Sequence, residues 1–157
     1  MATFATGGGT TIAVSATLPA TVDQAGYEAL TSFVPLPALS ELPERPASYE
    51  SVPFNKLQDD SIDSVRGLAE LINLELAVHD GQRDNAGYLA VKAAFDATKG
   101  TDAERIAVRI ANAANTVTEY YIMRVFSMTE GARTGNDISS VGVRMEGPFD
   151  TRVVVES

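Results

Sequence analysis

The sequence has no cysteine and no tryptophan among its 157 residues. Without thiols there is no disulfide framework, no thiolate metal site and no cysteine nucleophile. There is one histidine, His79, so a metal site built on a pair of histidines cannot form within one chain. It is also the only candidate base for a Ser-His-Asp arrangement. No apolar run reaches the ~18 residues that a membrane-crossing helix needs, and no membrane insertion is expected. The first residues, Met1-Ala2-Thr3-Phe4-Ala5-Thr6, have neither a basic start nor an apolar stretch. They do not read as a signal peptide, so a soluble chain made in a cytoplasm is expected. Basic residues are few: 12 Lys and Arg against 21 Asp and Glu, a net charge of −9. Such a chain repels phosphate rather than gripping it. Met1 to Val78 holds 10 acids and 3 bases, and His79 to Ser157 holds 11 acids and 9 bases. This asymmetry means either two electrically different poles or a generally acidic surface that aids solubility.

What is present is ordinary for a folded domain. Hydrophobic residues make up 45% and charged residues 21%, and the length suits one domain over residues 1–157. Ile12, Val14, Ala16 and Leu18 alternate with Thr11, Ala13, Ser15 and Thr17, which predicts a half-buried strand ended by Pro19. Thr21 or Asp23 can cap a short helix through Tyr27 and Leu30, weakened by Gly26. Pro35, Pro37, Pro43 and Pro46 fall so close together that no central strand can include them. An extended arm at about 35–48 is expected. Ala47 to Leu57 reads as a strand interrupted at Pro53, and Asp59 to Ser64 as an acidic turn. Val65 to Val78 is the clearest strand. Leu68, Ile72, Leu74, Leu76 and Val78 share a face with Glu70 as the exception, and Ala69, Leu71, Asn73, Glu75 and Ala77 take the other. Its length predicts a bend or a passage between neighbouring sheets. Asp84 is a candidate cap for a helix over Asn85 to Lys99, whose apolar face is Tyr88, Val91 and Phe95 with Ala94 beside them. Glu104 to Ala111 alternates again. Val117 to Met128 is apolar on both faces, Thr129 to Asp137 reads as a loop, and strands follow at Ile138 to Met145 and Thr151 to Val155. The count predicts a mainly β (α+β) fold: a small antiparallel sandwich or barrel with one flanking helix.

The chemistry expected of an enzyme is missing. Gly7-Gly8-Gly9 precedes a strand and lacks the Lys-Ser/Thr of a phosphate loop. Asp59 to Asp63 resembles a calcium loop only loosely, without the glycine and glutamate at the required offsets. His79-Asp80 lies at a strand end with no serine elbow in view. No enzymatic activity, cofactor or metal is expected.

Two segments point to a family. One is Ala16-Thr17-Leu18-Pro19-Ala20-Thr21 with Ala25-Gly26-Tyr27, and the other is Tyr120-Tyr121-Ile122-Met123-Arg124-Val125-Phe126-Ser127. Together with the order of elements over nearly the whole chain, they resemble the major tail tube proteins of long-tailed, siphovirus-like bacteriophages and of gene transfer agents. Ser32-Phe33-Val34-Pro35-Leu36-Pro37 departs from the family, which usually continues there with a proline-free strand. The resemblance implies a virion structural protein of the tail, assembled in the bacterial host cytoplasm. It implies hexameric rings stacked into a hollow tube through which double-stranded DNA passes without specific binding. It also implies tape-measure, tail terminator and tail-tip partners. On this reading Glu70, Asn73, Glu75 and Glu119 are candidates to face the lumen. Leu36, Pro37, Leu39, Leu42, Pro43, Arg45, Arg133 and Asn136 are candidates for contacts between rings. Two faces of apolar residues on Tyr120 to Met128 suit either a subunit contact or a second layer from the same chain. The inner tube of a contractile tail or secretion system and a small-molecule-binding β-barrel are the alternatives.

Overall fold

The computed structural model describes residues 10–37, 48–58, 61–112, 116–131, 135 and 139–156. Among these residues nine strands and two α-helices follow in the order β1 (Thr10–Ser15), α1 (Gln24–Glu28), β2 (Val34–Pro35), β3 (Tyr49–Lys56), β4 (Ser61–Ala69), β5 (Leu71–His79), α2 (Ala86–Asp96), β6 (Arg105–Asn112), β7 (Val117–Glu130), β8 (Ser140–Pro148) and β9 (Val153–Glu156). Seven strands form one antiparallel sheet in the order β2-β1-β6-β7-β8-β5, with β9 also on β7. Strands β3 and β4 pair only with each other, as a separate hairpin. The expected mainly β architecture with one substantial helix is what the chain adopts.

The period-two pattern explains the core. Ile106, Val108 and Ile110 of β6, Tyr121, Met123 and Val125 of β7, and Val141, Val143 and Met145 of β8 all point to one face. Ile72, Leu74, Leu76 and Val78 of β5 join them, and α2 closes that face with Tyr88, Val91 and Ala94. Strand β7 is long enough to serve two neighbours on one side. Val117 to Tyr120 pair with β9, and Arg124 to Glu130 pair with β8 across a bulge between Val125 and Ser127. The break between β8 and β9 is a 3-10 turn at Phe149–Thr151 and not Gly147-Pro148, which stay inside β8.

Several sequence expectations need correction. The helix starts at Ala86 with Asn85, not Asp84, as its cap; Asn85 Oδ1 accepts from Gly87 N at 2.8 Å. It stops at Asp96, so Lys99 and Gly100 lie in the turn beyond it. Phe95 is not on the packing face: it is 42% exposed, while Ala94 is buried. At about 100° per residue Phe95 returns to within about 20° of Tyr88, so periodicity alone does not separate the two; the other buried positions, Gly87, Val91 and Ala94, all lie to one side of both, and Phe95 stands in the last turn of the helix. Strand β3 runs through Pro53 unbroken, opposite Ser64. A strand with one neighbour can turn the missing N–H of a proline to solvent. The expected acidic turn is strand from Ser61 onward, and Asp59 and Asp60 lie outside the described residues. Thr129 and Glu130 belong to β7 rather than to a loop.

Helix α2 begins very close to β2. A Cβ at Gly87 would lie 2.4 Å from the carbonyl oxygen of Pro35, a backbone atom that cannot swing away. Gly87→Ala should therefore lower stability by about 1–3 kcal/mol despite alanine's better helix propensity. The urea midpoint measures it, and an unchanged midpoint would show that β2 yields freely.

Candidate assembly surfaces

Val65 to Val78 does pass between sheets, and it does so at Glu70. That residue lies in neither strand and joins β4 of the hairpin to β5 of the main sheet. Glu70 N donates to Ser48 O at 2.9 Å, and its carboxylate accepts from the Ser48 hydroxyl. Both ends of the hairpin are thus tied at its root.

Beyond that root the hairpin leaves the core. All eight residues of β3 are exposed, and so are all of β4 except Gly67 and Ala69. Its side chains are not those of a solvated ribbon. Val52, Phe54 and Val65 lie on one face, 41%, 41% and 53% exposed; Ile62 lies on the other, 75% exposed, and Leu68, at the register shift, is 79% exposed. Leu57, just past β3, is 97% exposed. Lys56 Nζ meets Asp63 Oδ2 at 3.1 Å, and Arg66 lies over the Tyr49 ring at 5.0 Å. These surface contacts contribute little. A two-stranded hairpin with no layer beneath it is marginal in water, and large exposed apolar patches mark interaction sites. Period-two alternation over Val65 to Leu68 gave no hint of this, because it looks the same whether the covering layer is the chain's own or a neighbour's.

The two-faced strand resolves differently. The second face of β7, Tyr120 and Ile122, is covered by the same chain: Tyr27 of α1, with Leu18, Leu30, Phe33, Val153 and Val155 around it. Asp23 caps α1, its Oδ1 accepting from Gly26 N at 2.7 Å and from the Thr21 hydroxyl at 2.9 Å. Those two hydrogen bonds, the backbone one first, hold the Asp23 carboxyl below its usual pKa. Tyr27 is fully buried, stacks on Tyr120 at 5.0 Å and donates from its hydroxyl to Thr151 O at 2.7 Å. Arg109 lies over the Phe33 ring at 4.7 Å. This face of β7 is therefore not left for a subunit contact, with Phe126, 53% exposed, as the remainder.

The four acidic and amide candidates fall in three places. Asn73 and Glu75 stand side by side on the exposed face of β5. Opposite them on β8 are Glu146 and Arg144, so this face mixes both signs instead of being uniformly acidic. Glu70 sits at the hinge. Glu119 is far from the others on β7, only 13% exposed, where its Oε1 accepts from Arg152 at 3.2 Å and from the Tyr121 hydroxyl at 3.0 Å. Of the inter-ring candidates, Leu36 is buried in the core at 4% exposure, its N–H bonded to Ile12 O at 2.8 Å. Pro37 is half-buried. Leu39, Leu42, Pro43, Arg45, Arg133 and Asn136 lie outside the described residues. His79 Nδ1 accepts from Gly81 N at 3.1 Å, capping a short 3-10 turn. Among the described residues no group of three or more His, Cys, Asp or Glu is placed to hold a metal, and no helix is long and apolar enough to cross a membrane.

No family model matches the chain, and no curated protein matches it in sequence. Solved structures match it in fold. A chain in the sheath–tube complex of the extracellular contractile injection system PVC, in the extended state, aligns with a TM-score of 0.66 at 11% identity, over 94% of this chain and 88% of that one. One in the six-fold symmetrised baseplate of the anti-feeding prophage aligns with a TM-score of 0.63 at 10% identity, over 99% and 98%. One in the tail of an empty gene transfer agent particle, computed with C6 symmetry, aligns with a TM-score of 0.61 at 14% identity, over 97% and 98%. The fold that the sequence resemblance implied is thus the fold observed, and this chain shares it with subunits of contractile injection systems and gene transfer agent tails.

Proposed function

We propose that this chain is a structural subunit of a tail or injection tube, assembling with its own copies into six-membered rings that stack. The observation that carries the reading is the β3–β4 hairpin, exposed on both faces and apolar on both faces, which a solitary domain would have no reason to keep. The ends of the main sheet add support. Its order finishes on β5, a nine-residue strand, at one edge and on β2 at the other. Joining such edges between neighbours removes the unpaired strands that a free sheet must otherwise protect. Six is taken from the symmetry stated for two of the similar particles. The inner tube of a contractile system and the tube of a non-contractile tail fit the fold equally.

In such a tube the polar face of β5 and β8, with Asn73, Glu75, Arg144 and Glu146, is the wall we assign to the lumen. Charges of alternating sign offer a passing duplex no continuous cationic track, so DNA slides without lodging. A terminator, a tip and a tape-measure protein are the partners this role requires.

Size-exclusion chromatography with light scattering, alongside negative-stain electron microscopy at high protein concentration, tests the reading. Six-fold rings or hollow tubes are expected. A protein that stays monomeric at every concentration and salt would turn the assignment towards a binding module.

A further inference from the structure

We infer that a cleft on the outer face of the main sheet binds an extended acidic peptide segment of another protein. The segment carries an apolar side chain two residues from a carboxylate. The cleft has a volume of about 250 Å³, with an apolar wall of Leu71, Ile122, Phe126 and Pro148 and two cations, Arg105 and Arg124. Ile122 is buried, while Leu71 and Phe126 are 58% and 53% exposed, so much of the wall is uncovered in the single chain.

The two arginines stand directly opposite each other, Arg105 of β6 in register with Arg124 of β7. Like charges so placed repel. The acids around them leave donors to spare. Asp102 meets one terminal nitrogen of Arg105 at 2.6 Å, while the Arg105 Nε is buried with no acceptor among the described residues. A buried donor without an acceptor is costly. Arg124 is 54% exposed, and its Nε is 3.8 Å from Glu104, too far for a hydrogen bond. Glu146, its register partner on β8, is engaged by Arg144. A carboxylate entering between the two guanidinium groups relieves the repulsion and finds strong, charge-assisted donors on both sides.

The same chemistry selects the occupant. Arg124 and Phe126 stand two apart on β7. An extended peptide laid beside them repeats that spacing, so its carboxylate and its apolar side chain fall on one side. The cleft is smaller than the roughly 300–1,000 Å³ of small-molecule pockets, which suits one or two side chains rather than a whole ligand. Duplex DNA needs a longer run of cations, and a chain of net charge −9 repels it. The hairpin of a second copy is a poor match, because its Asp63 already meets Lys56 at 3.1 Å.

The dilute, unassembled chain tests this, so a failure here leaves the tube reading as it stands. The end-blocked peptide Ser-Leu-Ser-Glu-Ser is titrated while NMR follows the Nε–H signals of Arg105 and Arg124. Both signals are expected to shift and saturate. The affinity should be at least tenfold higher than for Ser-Leu-Ser-Gln-Ser, which lacks the charge, or Ser-Gly-Ser-Glu-Ser, which lacks the apolar side chain. Arg124→Gln is expected to lower the acidic peptide to the level of the glutamine peptide, leave the glutamine peptide where it was, and keep the urea midpoint unchanged. No shift at either signal, or a glutamine peptide that binds as tightly, would overturn the inference. So would a short DNA duplex that displaces the peptide and loses its hold in Arg124→Gln, because the cleft would then be a phosphate contact.

Discussion

Replacing Val52, Phe54, Ile62 and Leu68 together by serine should leave a subunit that folds as before and no longer assembles. None of the four belongs to either buried cluster, and each is at least 41% exposed in the single chain. Substitutions at such positions usually change stability by no more than about 0.5 kcal/mol each. The hairpin itself would loosen, but the seven-stranded sheet and α2 would not register it. Assembly is another matter. Full burial of such a side chain contributes roughly 1.5–3 kcal/mol, and these begin partly covered, so about 1 kcal/mol apiece is a fair share. Four of them raise the assembly threshold on the order of a thousandfold, at 1.4 kcal/mol per tenfold. Sedimentation and electron microscopy read the threshold, and urea unfolding of the same sample reads the fold. Tubes forming at the wild-type concentration would remove the hairpin from the interface.

Tyr27→Ala should have the largest effect on the fold itself. The side chain is fully buried, stacks on Tyr120 and satisfies the carbonyl of Thr151. Emptying that volume costs about 3–5 kcal/mol, a large part of the ~5–15 kcal/mol that a domain has. For a chain of this length the melting temperature should fall by on the order of 10 °C. Tyr27→Phe keeps the stack and loses only the hydrogen bond, about 1 kcal/mol. The pair also predicts alkaline behaviour. Burial pushes the Tyr27 phenol up to about 12, from 10 for a free tyrosine. The folded state thus favours the neutral phenol. Its contribution is complete below pH 10, where both states are protonated, and is lost as pH rises from 10 to 12 and the unfolded chain ionises first. Tyr120 is raised as well, by burial first and then by Glu28, with Arg109 opposing. Tyr27→Phe should therefore flatten the alkaline loss measured by urea midpoints between pH 9 and 12 without abolishing it. An unaltered slope would show that Tyr27 does not carry the effect.

Much of the architecture was legible because its signals are local. The alternation of Ile106, Val108 and Ile110, the stripe from Tyr88 to Val91, and the overlong run across Glu70 each depend on backbone periodicity alone. What was not legible depended on who covers whom. The apolar second face of β7 and the apolar faces of β3–β4 carry the same pattern in the sequence. The chain itself covers the first, with Tyr27 of α1, a helix of five residues that contributes one large side chain. Nothing in the chain covers the second among the described residues. The arm at 35–48 shows the same limit from the other side: its Leu36 reads as an outward contact and is in fact a core residue.

The single residue between β4 and β5 has a mechanical consequence. With Glu70 tied to Ser48 on both backbone and side chain, the hairpin is anchored at its root, one residue from the sheet's edge strand. No slack loop separates that root from Leu71, so a load on it acts directly on β5. In the tube proposed above, covering the hairpin and pairing along β5 would then be one linked equilibrium, each lowering the cost of the other by the same amount. In that tube a subunit whose hairpin is already covered would be primed to pair, and a loose subunit in solution would not.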